Sequence, residues 1–204
     1  MFPKKQILII LFLFPVSVFS QKTFKAGLTG GLSATQYDGD TYGGYHKAGL
    51  MGGLFVKSNI NEKWEWEFNI IYIQKGAKQL SNGKTFTQYS VSLDYIEVPV
   101  LAKFHYKPFI YSMGIGFGTL IRKQEIANNL DITGIRPFNK TEFSFQAGIS
   151  YPLGKSWEFN WRYAYSILPV RPHACGAVHY LNRGEYNNVL AFALRFTFGN
   201  NEQE

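Results

Sequence analysis

The sequence has one cysteine, few charges and, after its first 20 residues, no long hydrophobic run. One cysteine excludes both a disulfide framework and a zinc site built from cysteines alone. A membrane-spanning helix needs about 18 or more uncharged apolar residues, so none is expected beyond residue 20. The sequence also lacks a phosphate-binding loop, a dinucleotide fingerprint and a nucleophile elbow. These absences remove the commonest nucleotide-dependent and hydrolytic enzyme classes.

Large aromatic residues and glycines are abundant instead. The 204 residues include 18 Phe, 13 Tyr, 4 Trp and 20 Gly, and 46% of them are hydrophobic. Such a composition excludes intrinsic disorder, because the chain has ample apolar surface to bury. The length fits one domain, or at most two small ones. The fold therefore has to place many large rings without using transmembrane helices.

The amino terminus predicts export. A basic start at Lys4 and Lys5 precedes an apolar run over 7–14, and small residues lead to a cleavage site after Ser20. This arrangement is typical of a cleaved secretory signal. The alternative, a retained anchor, is disfavoured because the apolar run is shorter than a spanning helix requires. Since the chain is exported and its basic residues are scattered, we expect no nucleic-acid partner.

The rest of the chain alternates apolar and polar residues with period two, which predicts β-strands. Eight stretches show it, over 24–34, 46–57, 64–75, 95–106, 109–121, 143–153, 157–167 and 189–198. Their joins are alternately tight, at 59–61, 107–108 and 154–156, and long, at 36–45, 79–92, 123–141 and 169–187. Outer-membrane barrels combine short periplasmic turns with longer extracellular loops in this way. The pattern predicts an all-β fold, an eight-stranded antiparallel up-and-down transmembrane β-barrel with both termini periplasmic.

The apolar face of these strands is expected to point outward to lipid. A soluble barrel such as a lipocalin would turn it inward, but an eight-stranded interior is only just wide enough to be filled by side chains. It cannot hold this many rings, whereas the opposite face is mostly Gly, Ala, Ser and Thr and suits a narrow, filled lumen. Four aromatic residues beside the tight turns are predicted to form an interfacial girdle: Trp64, Trp66, Tyr106 and Trp157.

The lumen face carries charges that must be paired in a closed interior. We predict a salt-bridge network with Glu97, Arg162 and Arg195 at its centre, and with Lys103 and Glu67 as further members. Glu65, near a strand end, is expected to reach solvent and to pair with nothing. Pro99 cannot donate a ladder hydrogen bond, so it is predicted to mark a bulge.

Two motifs carry a family resemblance. Residues 72–76 read Tyr-Ile-Gln-Lys-Gly, and residues 95–103 read Tyr-Ile-Glu-Val-Pro-Val-Leu-Ala-Lys. The chain resembles the PorT-like outer-membrane β-barrel family, which shows Tyr-x-Gln-Lys-Gly in its third strand and Tyr-x-Glu-x-Pro-x-x-x-Lys in its fourth. The resemblance covers essentially the whole mature chain and implies a small barrel. Some members of that family assist a protein-secretion and gliding apparatus, but nothing in the residues selects that subset, so fold carries over and function does not.

Candidate catalytic and metal-binding residues are few. The only metal-ligand spacing is His173-x-Cys175-x-x-x-His179, for which no fourth ligand is apparent, so we expect no metal and no cofactor. Some barrel lipid A deacylases use a Ser/His/acid set, but His105 has no convincing serine partner and His46 lies at a strand mouth. Three tyrosines of the first long loop are either stacking residues for a sugar or a protein, or ordinary rim aromatics: Tyr37, Tyr42 and Tyr45.

These observations leave three hypotheses of function. The first is a non-enzymatic outer-membrane barrel of the porin type in the broad sense, with outer-membrane lipid around it and a structural or loop-mediated binding role toward a protein partner. The second is transport, as a narrow pore or as a component of an export apparatus. The third is a lipid-modifying enzyme. A wide diffusion pore is the least favoured form of transport, because eight strands leave no water-filled channel.

The predicted division of the chain is a signal peptide over 1–20, a barrel domain over 21–199 and a short polar tail over 200–204.

Overall fold

The computed structural model describes residues 24–39, 44–79, 88–173 and 184–199, so the predicted signal peptide and tail lie outside the described residues. The strands run β1 (Lys25–Asp38), β2 (Lys47–Asn59), β3 (Trp64–Gln79), β4 (Tyr89–Tyr106), β5 (Phe109–Ala127), β6 (Leu130–Asp131), β7 (Thr141–Pro152), β8 (Trp157–Ser166) and β9 (Tyr186–Thr197). Among these described residues, no helix is long and apolar enough to span a membrane.

The strands close into a barrel. Neighbours along the sheet follow the order β4-β3-β2-β1-β9-β8-β7-β5-β6, and β4 also pairs with β5. The first long strand therefore pairs with the last, and every pairing is antiparallel. The two-residue β6 pairs only with the end of β5. The predicted closed, eight-stranded antiparallel barrel is confirmed.

The three tight turns lie at one end of the barrel, as their spacing predicted. In the turn between β2 and β3, the Asn61 side-chain oxygen accepts hydrogen bonds from the backbone N–H groups of Lys63 and Trp64, at 3.0 and 2.9 Å. The turn between β4 and β5 is the dipeptide Lys107-Pro108, whose peptide bond is cis. The turn between β7 and β8 contains Gly154 at a φ of 151°, a backbone conformation that glycine adopts most readily.

Several strands extend further toward the long-loop end than the alternation predicted. β4 begins at Tyr89 rather than at residue 95, and β5 continues to Ala127 rather than ending at residue 121. The alternation changes phase there: below this level the outward positions are apolar, whereas above it Ser92 and Asp94 point outward and Leu93 points into the barrel. The wall formed by β3, β4 and β5 therefore stands taller than the wall formed by β7 to β9.

The apolar outward face forms a continuous band. Its exposed side chains include Leu28 and Leu32 on β1, Ile70 on β3, and Met113 and Ile115 on β5. On β4 the band runs from Tyr106 to Ile96. The ten steps between these two residues, at about 3.4 Å each and tilted by about 40°, give a height of about 25 Å. That height equals the apolar band of an outer-membrane barrel.

The lumen is filled, with a polar lower part and an upper part in which apolar and charged side chains are mixed. At three lumen-facing glycines an added Cβ atom would lie within 2.0–2.1 Å of a neighbouring backbone oxygen, so no larger residue fits: Gly31, Gly53 and Gly114. Nearer the long loops, the lumen also holds buried large side chains that the small-residue expectation did not include: Ile71, Ile73, Val91, Leu93 and Tyr95.

The prediction of a bulge at Pro99 is wrong. The register between β4 and β5 runs unbroken through Pro99 and Gly116. Between β3 and β4 the pairs stop at Phe68 and Val100 and resume in the same register at Ile71 and Glu97. Pro99 has no N–H to donate, so the hydrogen-bond ladder between β3 and β4 is interrupted there, but neither strand contains an extra residue. The register shift lies instead at Asp94/Tyr95, opposite β5.

Candidate functional site

Most of the charged side chains of the lumen form three clusters stacked along the barrel axis. We call them the basal, middle and mouth clusters, counting from the tight-turn end. Because each draws its residues from several strands, together they fix the distances between opposite walls of the barrel. They are the most elaborate polar structure in the described part of the chain.

The basal cluster consists of Lys103, Arg195, Glu67 and Glu158, with Glu65 and Lys57 at its lower edge. Arg195 bridges both acids, with Nη2 2.6 Å from Glu67 Oε2 and Nη1 2.9 Å from Glu158 Oε1. Lys103 Nζ lies 3.1 Å from Glu67 Oε2 and 3.2 Å from Glu158 Oε1. Arg195 also makes a cation–π contact, because its guanidinium carbon lies 4.1 Å from the centroid of the Phe55 ring. Five strands, β2, β3, β4, β8 and β9, contribute to this cluster.

The middle cluster consists of Lys75, Glu97 and Glu142. Lys75 Nζ is fully buried, pairs with Glu97, and lies 2.9 and 3.0 Å from the two carboxylate oxygens of Glu142. Glu142 also accepts hydrogen bonds from Ser166 Oγ at 2.6 Å and Asn187 Nδ2 at 2.9 Å. Both acids are therefore held by one ammonium group, which is the only cation within ion-pair distance of either among the residues described.

The mouth cluster consists of Arg171, Glu125, Glu185, Tyr89 and Arg136. Arg171 lies 2.9 Å from Glu125 Oε1, pairs with Glu185, and donates to the Tyr89 hydroxyl at 2.7 Å. Burial lowers the pKa of Arg171, but Glu185 and Tyr89 raise it by more, so its net shift is upward and it stays charged. Phe138 covers the guanidinium at 4.3 Å. The upper lumen is closed by these contacts.

The mouth cluster was not predicted. Arg171 and Glu185 are joined by an isolated antiparallel bridge inside the loop assigned to 169–187, and Glu125 lies in the loop assigned to 123–141. A faint signal exists in the sequence, because each of these long joins carries both acidic and basic residues. Spacing alone does not indicate which of them turn into the barrel.

The predicted lumen network is distributed differently in the structure. Arg195, Lys103 and Glu67 lie together in the basal cluster, with Glu158 as a member that the prediction left out. Glu97 was placed at the centre with Arg162 and Arg195, but its ion-pair partner is Lys75. Arg162 has no carboxylate within ion-pair distance among the described residues, and its only side-chain hydrogen bond there goes to Gln146 Oε1 at 3.5 Å.

The expectation for Glu65 is wrong. Its side chain is buried and lies 3.6 Å from Lys103 Nζ and 3.7 Å from Lys57 Nζ. The lumen is narrow enough at this level that a side chain one position from the strand end still meets basic residues of the neighbouring strands. Glu65 therefore belongs to the basal cluster.

The two family-like motifs meet inside the barrel. Lys75 of the first pairs with Glu97 of the second and lies 5.1 Å from the ring centroid of Tyr95. Lys103, the last residue of the second motif, belongs to the basal cluster. The charged residues of both motifs are thus used in holding β3, β4 and the opposite wall together.

Aromatic rings surround the tight-turn end on the outside. Trp64, Tyr106 and Trp157 are exposed there, and Trp66 is half-buried. The rings pack in pairs, with 5.0 Å between the centroids of Trp64 and Phe104 and 5.8 Å between those of Phe24 and Trp66. At the other end of β8, Tyr165 stacks on Tyr186 at 5.9 Å.

The histidines and loop tyrosines that the structure describes do not assemble a reactive centre. His105 Nε2 lies 3.8 Å from Glu65, and no serine or cysteine of the described segments hydrogen-bonds to it. Tyr37 is buried in the lumen against Phe138, so its proposed external stacking role is wrong. Tyr45 donates a hydrogen bond to Asn188 at 2.6 Å.

The possible metal ligands cannot be followed as a set. His173 is among the described residues, whereas Cys175 and His179 lie outside them. Tyr42, one of the three loop tyrosines, also lies outside the described residues. Within the described ranges, no group of three or more His, Cys, Asp and Glu side chains is arranged to hold a metal ion.

A family model described as "Outer membrane protein beta-barrel domain" matches residues 19–170. No curated protein matches the sequence. The match includes every strand from β1 to β8 and stops before β9, which closes the barrel against β1.

Several solved structures resemble the chain at low identity. Ail, the attachment invasion locus protein of Yersinia pestis, solved with the heparin analogue sucrose octasulfate, shares 12% identity over 86% of this chain and 99% of its own, with a TM-score of 0.49. Neisserial surface protein A shares 14% identity over 86% of this chain and 97% of its own, also with a TM-score of 0.49. The outer membrane protein AlkL shares 14% identity over 91% of this chain and 95% of its own, with a TM-score of 0.36.

Proposed function

Because the chain belongs to the family of outer membrane protein beta-barrel domains, we propose that it is a non-enzymatic barrel with a structurally filled lumen and a binding role at its long-loop end. Its location is the outer membrane. The finer claims concern what the lumen does, which end faces outside and what the loops bind. Each is supported by a separate feature of the barrel.

The observation that carries the proposal is the set of ion pairs that cross the lumen. Lys75 on β3 reaches Glu142 on β7, Lys103 on β4 reaches Glu158 on β8, and Arg195 on β9 reaches Glu67 on β3. In each case two other strands lie between the partners along the barrel wall. Side chains that meet from opposite walls leave little room for a continuous water column, which supports a plugged lumen.

Planar-bilayer recording tests this proposal. Pure protein should show no steady nanosiemens conductance, since the basal and middle clusters obstruct the lumen at two levels. A 16-stranded porin serves as the positive control and detergent alone as the negative control. Steady conductance from the pure chain at porin-like levels would contradict the plugged lumen and favour the pore hypothesis.

We also propose that the tight turns and both termini face the periplasm, so that the long loops face outward. The turn lengths support this sidedness, since short turns are periplasmic in outer-membrane barrels. In this arrangement Trp64, Trp66, Tyr106 and Trp157 form the girdle at the inner interface, where amphipathic rings are favoured.

The charge at the long-loop end favours an anionic partner. Lys78, Lys123 and Lys140 are exposed there, whereas Glu125, Glu142 and Glu185 are buried in ion pairs of the lumen. The rim thus presents these three cations while three of its acids are turned inward; Asp131 is an exposed acid at the same end. We propose that a protein partner bound there would be acidic. We also propose that the chain belongs to the PorT-like family, a relationship that accounts for the barrel and not for a secretion role.

A further inference from the structure

Five polar side chains line a small cavity on the outer wall of the barrel, just above the apolar band. They come from β3, β4 and β5: Gln74, Ser92, Asp94, Arg122 and Gln124. In the register, Asp94 lies directly between Gln74 and Arg122, and Ser92 lies opposite Gln124. Directly paired residues point to the same face of a sheet, so all five side chains share the outward face. The cavity measures about 160 Å³.

Asp94 is the unusual member of this group. Only 6% of it is exposed, although it stands at an outward position. Its carboxylate has no hydrogen bond or ion pair with any residue that the structure describes. A carboxylate that accepts no hydrogen bond from the protein keeps its acceptor capacity free, and Asp94 presents that capacity to the cavity.

Arg122 reaches this face because of the bulge. Asp94 pairs with Arg122 and Tyr95 pairs with Leu120, so Ile121 is the extra residue on β5. Without the extra residue, residue 122 would follow Leu120 on the lumen face. Bulges commonly re-aim a side chain in this way. Despite being the cross-strand neighbour of Asp94, Arg122 forms no ion pair with it, and its guanidinium has no other partner among the described residues.

We propose that this cavity binds the phosphorylated sugar headgroup of an outer-leaflet glycolipid. An unpaired carboxylate suits sugar hydroxyl groups, which donate hydrogen bonds, and an unpaired guanidinium suits phosphate, which accepts two in parallel. Gln124 supplies an amide donor and acceptor beside them. The Gln74 amide is fixed in place, because its oxygen accepts from the Leu50 N–H and its nitrogen donates to Tyr72, each at 3.1 Å. At about 160 Å³ the cavity is smaller than the roughly 300–1,000 Å³ typical of sites for drug-sized ligands, and it suits one headgroup unit.

The position of the cavity selects a lipid rather than a soluble sugar. Gln74 Nε2 donates to the hydroxyl of Tyr72 at 3.1 Å, and Tyr72 and its cross-strand neighbour Ile96 form the upper edge of the apolar band. A headgroup seated at Asp94 therefore keeps its acyl chains against the band below. This inference rests on the proposed sidedness, which puts the long-loop end in the outer leaflet.

Binding of diphosphorylated, hexaacylated lipid A to purified protein in a nonionic detergent tests the inference. Native mass spectrometry measures the bound fraction across a lipid titration. Asp94→Asn and Arg122→Gln should each weaken binding about tenfold, because each removes a charge-assisted hydrogen bond to the headgroup. The matched controls are Asp131→Asn on β6 and Lys123→Gln, which has Leu93 as its cross-strand neighbour and lies outside the cavity; both should bind as the parent does.

Stability without lipid separates a binding role from a structural one. Asp94→Asn should unfold at a denaturant concentration equal to or above that of the parent, because the carboxylate makes no hydrogen bond or ion pair with the described residues that the change could remove. A lower midpoint would assign Asp94 to the fold and overturn the inference. Equal weakening by Arg122→Gln and Lys123→Gln would also overturn it, since it would show general attraction to a basic rim.

A soluble competitor identifies the source of the headgroup. Glucosamine 1-phosphate should displace lipid A only at far higher concentration, because it lacks the acyl chains that contact the band. Displacement at equal concentration would overturn the assignment to a lipid. The binding measurement uses pure protein in detergent, so a lack of lipid A binding would not contradict the proposed sidedness or the plugged lumen. Conversely, a conducting lumen would not contradict the binding of lipid A.

Discussion

Replacing Lys75 by Met should lower the free energy of unfolding by about 3–5 kcal/mol, because it leaves two buried carboxylates without a cation. Lys75 is the shared partner of Glu97 and Glu142 in the middle cluster. The measurement is denaturant unfolding of the barrel refolded into phospholipid vesicles, followed by tryptophan fluorescence. Lys78→Met is the matched control, since Lys78 lies on the same strand but is exposed, and it should change stability by about 0.5 kcal/mol or less.

A second substitution should recover part of that loss. Adding Glu142→Gln to the Lys75 variant removes one of the two stranded charges, so the double variant should be more stable than Lys75→Met alone. If Lys75→Met behaved like Lys78→Met, the middle cluster would contribute nothing to the fold, and the structural role assigned to the lumen would be wrong.

Replacing Ile115 by Arg should destabilise the inserted barrel by about 2–4 kcal/mol, the range for Arg at the midplane of a bilayer. Ile115 is 63% exposed and lies midway along the apolar stretch of β5. In a soluble barrel, a side chain this exposed could be replaced by Arg without loss of stability. The predicted loss therefore depends on lipid surrounding this face. The assay is the same vesicle-based unfolding experiment.

Ile135→Arg provides the comparison for the Ile115 variant. Ile135 is 75% exposed but lies in the join between β6 and β7, outside the apolar band. Its replacement should be close to neutral. Equal effects of the two substitutions would argue that the outward face of β5 does not contact lipid.

The alternation of the sequence was sufficient for strand number, direction and the outward orientation of the aromatic face. It failed where the phase of the alternation reverses. In β4 the apolar residues are Val98 and Val100 on the outside, but Val91 and Leu93 on the inside. The reversal marks the point where the outer wall leaves the apolar band and its outward side chains meet polar surroundings. A search for one constant phase therefore began β4 six residues too late.

Lumen partners were only partly predictable for a geometric reason. Alternation assigns a residue to the lumen, but the tilt and stagger of the strands decide which lumen residues share a level. Glu97 and Arg162 both point inward, yet Glu97 lies level with Lys75 and Glu142. Arg195 lies lower, level with Glu67 and Glu158. Without the register, assigning the partner of Glu97 was a choice among several inward-facing cations.

The mouth cluster and the outer-wall cavity depend on irregular backbone, which a periodic pattern does not encode. Arg171 enters the lumen through an isolated bridge with Glu185, and Arg122 leaves the lumen face through the bulge at Ile121. Proline was a misleading guide to that bulge, because Pro99 interrupts a ladder without shifting its register.

The central claim is that the aromatic face contacts lipid around a filled barrel, and the native tryptophans report on it directly. All four lie at outward positions, Trp64 and Trp66 on β3 and Trp157 and Trp161 on β8. Phospholipids brominated along their acyl chains should quench the fluorescence of the refolded protein strongly, whereas aqueous iodide should quench it weakly. Strong quenching by iodide together with no effect of the brominated chains would contradict the account.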